Sequence, residues 1–442
     1  MKSYLFLISI ALVISDVEAQ DTLTLPFAIA HEKRLPEDEL RDKREGTFVT
    51  GVPDLSFDPV NGFGYGAEGS ITFNGKRTNP FFEYTPYRSK LDIVLFNTTR
   101  NQREVALVYD QPYVFQSKWR LRTEAAYEIN PNLLYFGTTD RTLQSLSQIA
   151  AGDGMSNNNS GDSYSQYDNS LGENANFNEY TKEEYILNMS GEYSLLESRM
   201  RVLGGFEYAR LNISKTGTGR SRIEEDALAK KILGFGKSQV SFLQLGMIYD
   251  TRDFESDPSN GIYAELTDEY SHKGMASDFT LNKVFFQLKT FKRLMPSTFK
   301  KFIFASRAGI GYTFGDAPFF EYQDEWSSEG SIEGLGGGNT IRGYKQNRFL
   351  DRGIYFVNTE MRMRFFETEL FHQDLSFSAV PMFDFGSVYN LQNKQQAFAM
   401  NRMRYSEGLG MRIAWNLSTI LRFDYAVSQE DKQFFFTFEH AF

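Results

Sequence analysis

Two short motifs carry the residues best suited to chemistry. The run at 334–344 reads Gly-Leu-Gly-Gly-Gly-Asn-Thr-Ile-Arg-Gly-Tyr and sets Arg342 in a glycine-rich loop. About forty residues later, Phe-Asp-Phe-Gly at 383–386 sets a lone Asp384 in an alternating apolar segment. A guanidinium and a carboxylate form a bidentate, permanently charged pair that lysine does not reproduce. Each alone is expensive in a protein without an ordinary core; together they describe a loop tucked inside a barrel and held by charge. Gly336, Gly337, Gly338 and Gly343 let the backbone turn tightly against a wall. The chemistry is pinning rather than catalysis.

The elements that position these residues must be strands. Residues 1–19 read as a signal peptide: Lys2, an apolar run from Leu5 to Ile14, and Val17-Glu18-Ala19 before Gln20. That run is too short to span a bilayer, and no later stretch reaches the length of a transmembrane helix. There are no cysteines, hence no disulfide framework. The formal net charge of −10 argues against a nucleic-acid partner. Phe and Tyr number 41 and 24, yet long apolar runs are missing; this fits a transmembrane barrel with aromatic girdles at both interfaces.

Alternation supports the same reading. Phe302, Phe304, Ile310, Tyr312 and Phe314 share one parity, and Arg307, Gly309, Gly311 and Thr313 the other. Leu421, Phe423, Tyr425 and Val427 oppose Arg422, Asp424 and Ser428. Tyr405, Leu409, Met411 and Ile413 oppose Ser406, Gly408, Gly410 and Arg412. The fold class is therefore all-β, a transmembrane antiparallel β-barrel of about 16 strands, with the sixth outer loop folded into the lumen. The candidates run from two short strands at 61–66 and 70–75 to a last one at 432–442. The domains are a signal peptide (1–19), a short periplasmic segment (20–60) containing one helix near 35–46, and the barrel (61–442). Long outer loops fall at 137–178, 214–236 and 315–351. The Asn/Ser/Gly-rich 139–178 reads as solvated and mobile, and 221–233 as a short helix.

Four motifs in order resemble the BamA/TamA superfamily, the bacterial surface-antigen barrels that insert or translocate proteins at outer membranes. Asp250, Arg252 and Asp253 followed by Pro258 and Gly261 are similar to the family's periplasmic turn. Arg342, Gly343 and Tyr344 match the tip of its sixth outer loop. Asn358-Thr359-Glu360-Met361 is similar to its strand with a lumen-facing Glu, and Asp384 and Gly386 lie in the fourth motif. The resemblance covers 48–442 and implies that Arg342 meets both Asp384 and Glu360 in the lumen. No periplasmic POTRA domain is recognisable ahead of the barrel, so the chain looks like the POTRA-lacking branch.

The family mechanism implies a seam between the first and last strands, here Gly62, Gly64 and Gly66 against Phe438 and Phe442, whose opening offers an unpaired edge to a client strand. Glu439 stands where relatives carry a seam glycine, which implies a straighter, better-paired closure. The implied partners are outer-membrane lipid, periplasmic or outer-membrane proteins and client β-barrels, at the Gram-negative outer membrane. The alternative is a plugged or passive barrel: a structural subunit, a lipid-handling element or an export pore. An enzyme is disfavoured. His31, His272, His372 and His440 are scattered, no Gly-x-Ser-x-Gly elbow occurs, and no metal or cofactor is implied.

Overall fold

A computed structural model describes residues 24–442 apart from 36, 59, 156–160, 254, 256, 300, 371, 372, 394–398, 416–418 and 439. The signal-peptide reading of 1–19 lies outside the described residues. Sixteen strands close into one antiparallel barrel. The first half comprises β1 (Gly46–Asp58), β2 (Gly62–Gly75), β3 (Ser89–Thr98), β4 (Arg103–Gln111), β5 (Trp119–Leu134), β6 (Glu179–Leu195), β7 (Met200–Lys215) and β8 (Gly236–Asp250). The second comprises β9 (Gly261–Ser271), β10 (Thr280–Arg293), β11 (Phe302–Asp316), β14 (Gly353–Leu370), β15 (Gln373–Tyr389), β16 (Arg404–Trp415), β17 (Thr419–Val427) and β18 (Lys432–Phe438). A small hairpin, β12 (Asp324–Glu325) and β13 (Ile332–Glu333), lies in the long connection from β11 to β14.

Each wall strand pairs with its sequence neighbours, and β18 closes on β1. The period-2 pattern explains the wall. In β11, Ile303, Ala305 and Arg307 are buried inside, while Ile310 and Phe314 are exposed outside. In β17, Arg422 and Asp424 are buried and Tyr425 is exposed. The outward apolar side chains form the surface that hydrocarbon covers; the inward polar ones face the lumen.

The N-terminal boundary differs from the sequence reading. The stretches 61–66 and 70–75 are one strand, β2, and the barrel begins at β1, inside the segment read as periplasmic. Gly51, Pro53 and Asp54 interrupt the alternation of β1 and disguise it as a loop; proline is tolerated where one side of a strand is sparsely paired, and on its β18 side β1 has one registered pair among the described residues. Ahead of β1, residues 24–45 run along the short-turn end of the barrel. The Ala30 amide donates to the Glu197 carbonyl (2.8 Å), and the Leu35 amide to that of Glu83 (2.8 Å). A helix spans Glu37–Asp42, within the expected stretch.

The long outer loop also departs from expectation. Its described residues fold into helices Leu146–Gly152 and Tyr164–Leu171. Leu146, Ile149, Ala150, Tyr167 and Phe177 bury themselves against Leu134 and Phe136 at the end of β5. The apolar residues lie at helical spacing, diluted among Ser and Asn; average composition hid a core that the barrel rim completes. Arg222–Leu228 forms the helix expected in the next loop.

Ile149 is fully buried in this outer cluster. Ile149→Asp should make 137–178 a fast proteolytic target while the rest of the barrel stays resistant, as limited digestion followed by gel migration will reveal.

Candidate functional site

The connection from β11 to β14 enters the lumen. Its glycine-rich tip is set by backbone geometry: Gly336, Gly337 and Gly343 have φ of +109°, +92° and +96°. A Cβ on Gly343 would come within 3.0 Å of the Val427 backbone. Arg342 is fully buried. Its Nε donates to Asp384 Oδ2 and its Nη2 to Asp384 Oδ1, both at 2.8 Å, the bidentate geometry. Nη1 donates to Glu360 Oε1 at 2.6 Å and to Asp424 Oδ2 at 3.2 Å. The Arg342 amide also donates to Asp384 Oδ2 (3.2 Å).

Neighbouring residues hold the frame. Asp384 Oδ1 accepts from Asn358 Nδ2 at 2.8 Å. Tyr344 is buried, edge-on to Phe349 at 5.1 Å between ring centroids. Gly386 allows β14 to approach, because an added Cβ would lie 2.4 Å from the Tyr355 carbonyl oxygen. Ser428 Oγ donates to the Gly343 carbonyl (2.7 Å) and ties the tip to the β17–β18 connection.

The sequence reading foresaw one guanidinium and two carboxylates; the cluster is larger. Arg412 Nη1 donates to Asp424 Oδ1 at 2.5 Å and its Nη2 to Glu360 Oε1 at 3.1 Å. Arg422 Nε donates to Asp424 Oδ2 at 2.8 Å, and its Nη1 to Asn339 Oδ1 on the loop at 3.2 Å. Arg362 Nε donates to Glu360 Oε2 at 2.8 Å. Arg307 donates to neutral acceptors, Asn358 Oδ1 and the Asn339 carbonyl. Arg307, Arg412, Arg422 and Asp424 all lie on the polar parity of their strands. That parity was the signal; the cross-strand register that groups them was not in it.

A second anchor had no counterpart in the sequence reading. The β12–β13 hairpin descends the lumen, and Glu329 at its turn reaches the opposite end of the barrel. Its Oε1 accepts from Arg252 Nη2 and its Oε2 from Lys289 Nζ, each at 2.5 Å. Enclosure opposes the charge on Glu329, but Lys289 and Arg252 outweigh it and hold the carboxyl well below the ordinary carboxylate range. The Ser328 amide and Ser327 Oγ both donate to Glu265 of β9 (2.8 and 2.7 Å).

Arg252 belongs to the turn motif after β8. Its Nε and Nη2 clasp Asp250 at 3.0 and 3.2 Å, and Asp250 also meets Lys33 of the N-terminal segment at 3.1 Å. Asp253 Oδ1 accepts from the Ser259 and Asn260 amides (2.8 and 3.1 Å) and shapes the turn. Pro258 is buried within it. Gly261, at φ +116°, sits where a Cβ would press to 2.4 Å from the Thr251 carbonyl oxygen. The motif therefore joins the N-terminal segment to the lumen loop.

The seam is built from different residues than expected. Gly62, Gly64 and Gly66 lie in β2, between β1 and β3. Gly64 pairs Ser56 and Thr98, and Gly66 pairs Asp54 and Phe96. Gly66 is small because β3 is close: its Cβ would fall 2.1 Å from the Leu95 carbonyl oxygen. The closure joins β1 and β18, with one registered pair among the described residues, Phe57 opposite Phe436. By contrast, β1 pairs β2 along its whole length. The better-paired closure implied by Glu439 falls on a residue outside the described ones. Phe438 ends β18 opposite Leu421. Phe442 lies beyond the strand and away from the seam. Its ring packs on Phe291, Ile303 and Ala305, with the guanidiniums of Arg307 and Arg362 each 5.2 Å from its centroid. Cation–π contacts at the lumen mouth draw it inward. Among the described residues no group is placed to hold a metal ion.

Residues 61–442 match the model of the Omp85 superfamily domain. The chain belongs to the Omp85 superfamily. It is an outer-membrane β-barrel protein. A second model, a domain of unknown function (DUF5982), matches 25–88, spanning the N-terminal segment, β1 and β2. Among solved structures, the barrel resembles BamA from Haemophilus ducreyi lacking POTRA domains 1–3. That match has 15% identity and a TM-score of 0.55, and covers 90% of this chain and 70% of that one. It also resembles CdiB from Escherichia coli, at 9% identity and a TM-score of 0.55, covering 88% of this chain and 62% of that one. A search of curated protein sequences gives no match. In this Omp85 barrel the long loops face outward and the short turns, Arg252 among them, face the periplasm.

Arg342→Ala removes one side of a buried ion cluster, a change that costs about 3–5 kcal/mol where charges are stranded. The fraction of folded barrel should fall, seen as loss of heat-modifiable migration on a gel. Arg342→Lys should restore little, because an ammonium cannot clasp Asp384 with two parallel bonds.

Proposed function

We propose that this Omp85 barrel assembles or translocates proteins at the outer membrane by opening between β1 and β18. The observation that carries the reading is the closure itself, where among the described residues a single registered pair joins strands that are otherwise fully paired to their inner neighbours. A strand edge freed within the bilayer has no water to satisfy its amides and carbonyls. A client strand that adds to it supplies those partners by β-augmentation. Phe57 and Phe434 bridge the gap with ring centroids 6.3 Å apart, an apolar contact that can part without stranding a polar group. The four family-like motifs support the same assignment.

The remaining parts divide the labour. The Arg342 cluster and the Glu329 anchor hold β8–β11 and β14–β17 as a rigid shell around the loop, so motion concentrates at the one weak closure. Lipid is the medium in which the edge opens. Client β-barrels are the proposed substrates, delivered by a periplasmic or outer-membrane partner. The anchored loop also fits a second reading, a plugged barrel acting as a structural subunit, lipid-handling element or export pore.

Cysteines at Phe57 and Phe436, oxidised to a disulfide, test the choice. Locking should abolish appearance of newly folded, heat-modifiable client barrels, and reduction should restore it. Undiminished client folding with the bond fully formed would leave the plugged reading.

A further inference from the structure

The periplasmic end of the lumen holds more positive charge than the loop anchors use. In the central cluster, among the described residues, four guanidiniums (Arg342, Arg362, Arg412 and Arg422) share three carboxylates (Glu360, Asp384 and Asp424), and a fifth, Arg307, lies beside them on neutral acceptors. Just below it, Lys301, Arg362, Arg364 and Arg412 line a small cavity with Asp257 and His440. The space for solvent centres is about 20 Å³, more than the ~10–15 Å³ that one water needs.

Among the described residues, three guanidinium nitrogens of this wall are buried without a hydrogen-bond partner: Arg362 Nη1, Arg364 Nε and Arg412 Nε. The Arg362 and Arg412 side chains are only 4% and 3% exposed. Their other nitrogens are engaged, Arg362 Nη2 with the Phe442 main-chain oxygen at 3.0 Å and Arg412 with Glu360 and Asp424. Asp257, the one carboxylate of the wall among the described residues, lies near Lys301 Nζ, within 3.8 Å of Arg364 Nη2 and 3.2 Å from His440 Nε2. Buried N–H groups left without acceptors are costly, and three of them on side chains that line one cavity call for a ligand rich in oxygen and negative charge.

We propose that this cavity binds a phosphate-class oxyanion, free or carried on a lipid head group, between Arg362, Arg364, Arg412 and Lys301. The class follows from charge and shape. The cluster above carries two more cations than anions, and a phosphate monoester brings about −1.5 to −2 near neutral pH, whereas a carboxylate brings one charge. Guanidinium forks from β14 and β16, the strands on either side of β15, give charge-assisted bonds to several oxygens of one tetrahedral group. Asp257 opposes the anion and sets its affinity.

The full chain, folded in detergent, should unfold at a higher temperature as inorganic phosphate is added, and not with chloride or acetate at matched ionic strength. Lys301→Gln with Arg364→Gln should weaken phosphate binding at least about tenfold, as expected for losing two charge-assisted hydrogen bonds. Asp257→Asn should tighten it. All variants are first checked for heat-modifiable migration, and Arg364→Lys, which keeps the charge, should retain part of the affinity. In nanodiscs without free phosphate, protection by phosphatidic acid over phosphatidylcholine assigns the source to a lipid head group; its absence assigns it to the free ion. Equal protection by acetate or chloride, or an unchanged phosphate response in a folded double variant, would overturn the site.

Discussion

A charge enclosed by a protein cylinder must find its counter-charge inside the same cylinder. Arg342 and its carboxylates meet that constraint, and much of the architecture follows from it. One guanidinium draws Asp384 from β15, Glu360 from β14 and Asp424 from β17 into a single cluster. The loop that carries Arg342 is thereby fixed in the lumen, and the glycines beside it exist because nothing larger fits at that approach. A hydrophobic plug would fill the same space with less directionality. The ion cluster sets where the loop stops and which strands it ties together.

Much of this was legible in the sequence, for physical reasons that differ by element. The barrel showed because lipid on one side and a polar lumen on the other impose a period of two that survives in β11, β16 and β17. The Arg342 anchor showed because a guanidinium, a flexible glycine frame and a strand carboxylate form a compact chemical signature. The helix at Glu37–Asp42 showed through its local punctuation. Arg307, Arg412, Arg422 and Asp424 were visible as inward-facing polar residues, but their association depends on which strands neighbour each other and in which register, and parity holds neither.

The failures share a cause, in that tertiary contact overrode local pattern. β1 carries Gly51, Pro53 and Asp54, and reads as loop until β2 pairs with it. Assigning the seam to Gly62, Gly64 and Gly66 took glycine as a sign of weak pairing; close packing of β3 is what demands those residues. The outer loop at 137–178 looked too polar to order itself, yet a few apolar side chains suffice once the rim of β5 supplies the other half of their core. Phe442 looked like the end of an aromatic strand and instead curls over two guanidiniums. The Glu329 anchor left no trace, because a single glutamate in a polar loop resembles any other.

The hairpin bearing Glu329 starts at the cell exterior and ends one residue pair from the N-terminal segment: Glu329 holds Arg252, Arg252 holds Asp250, and Asp250 holds Lys33. That chain of four side chains fastens the lumen loop to the segment ahead of β1, the strand on which the closure depends.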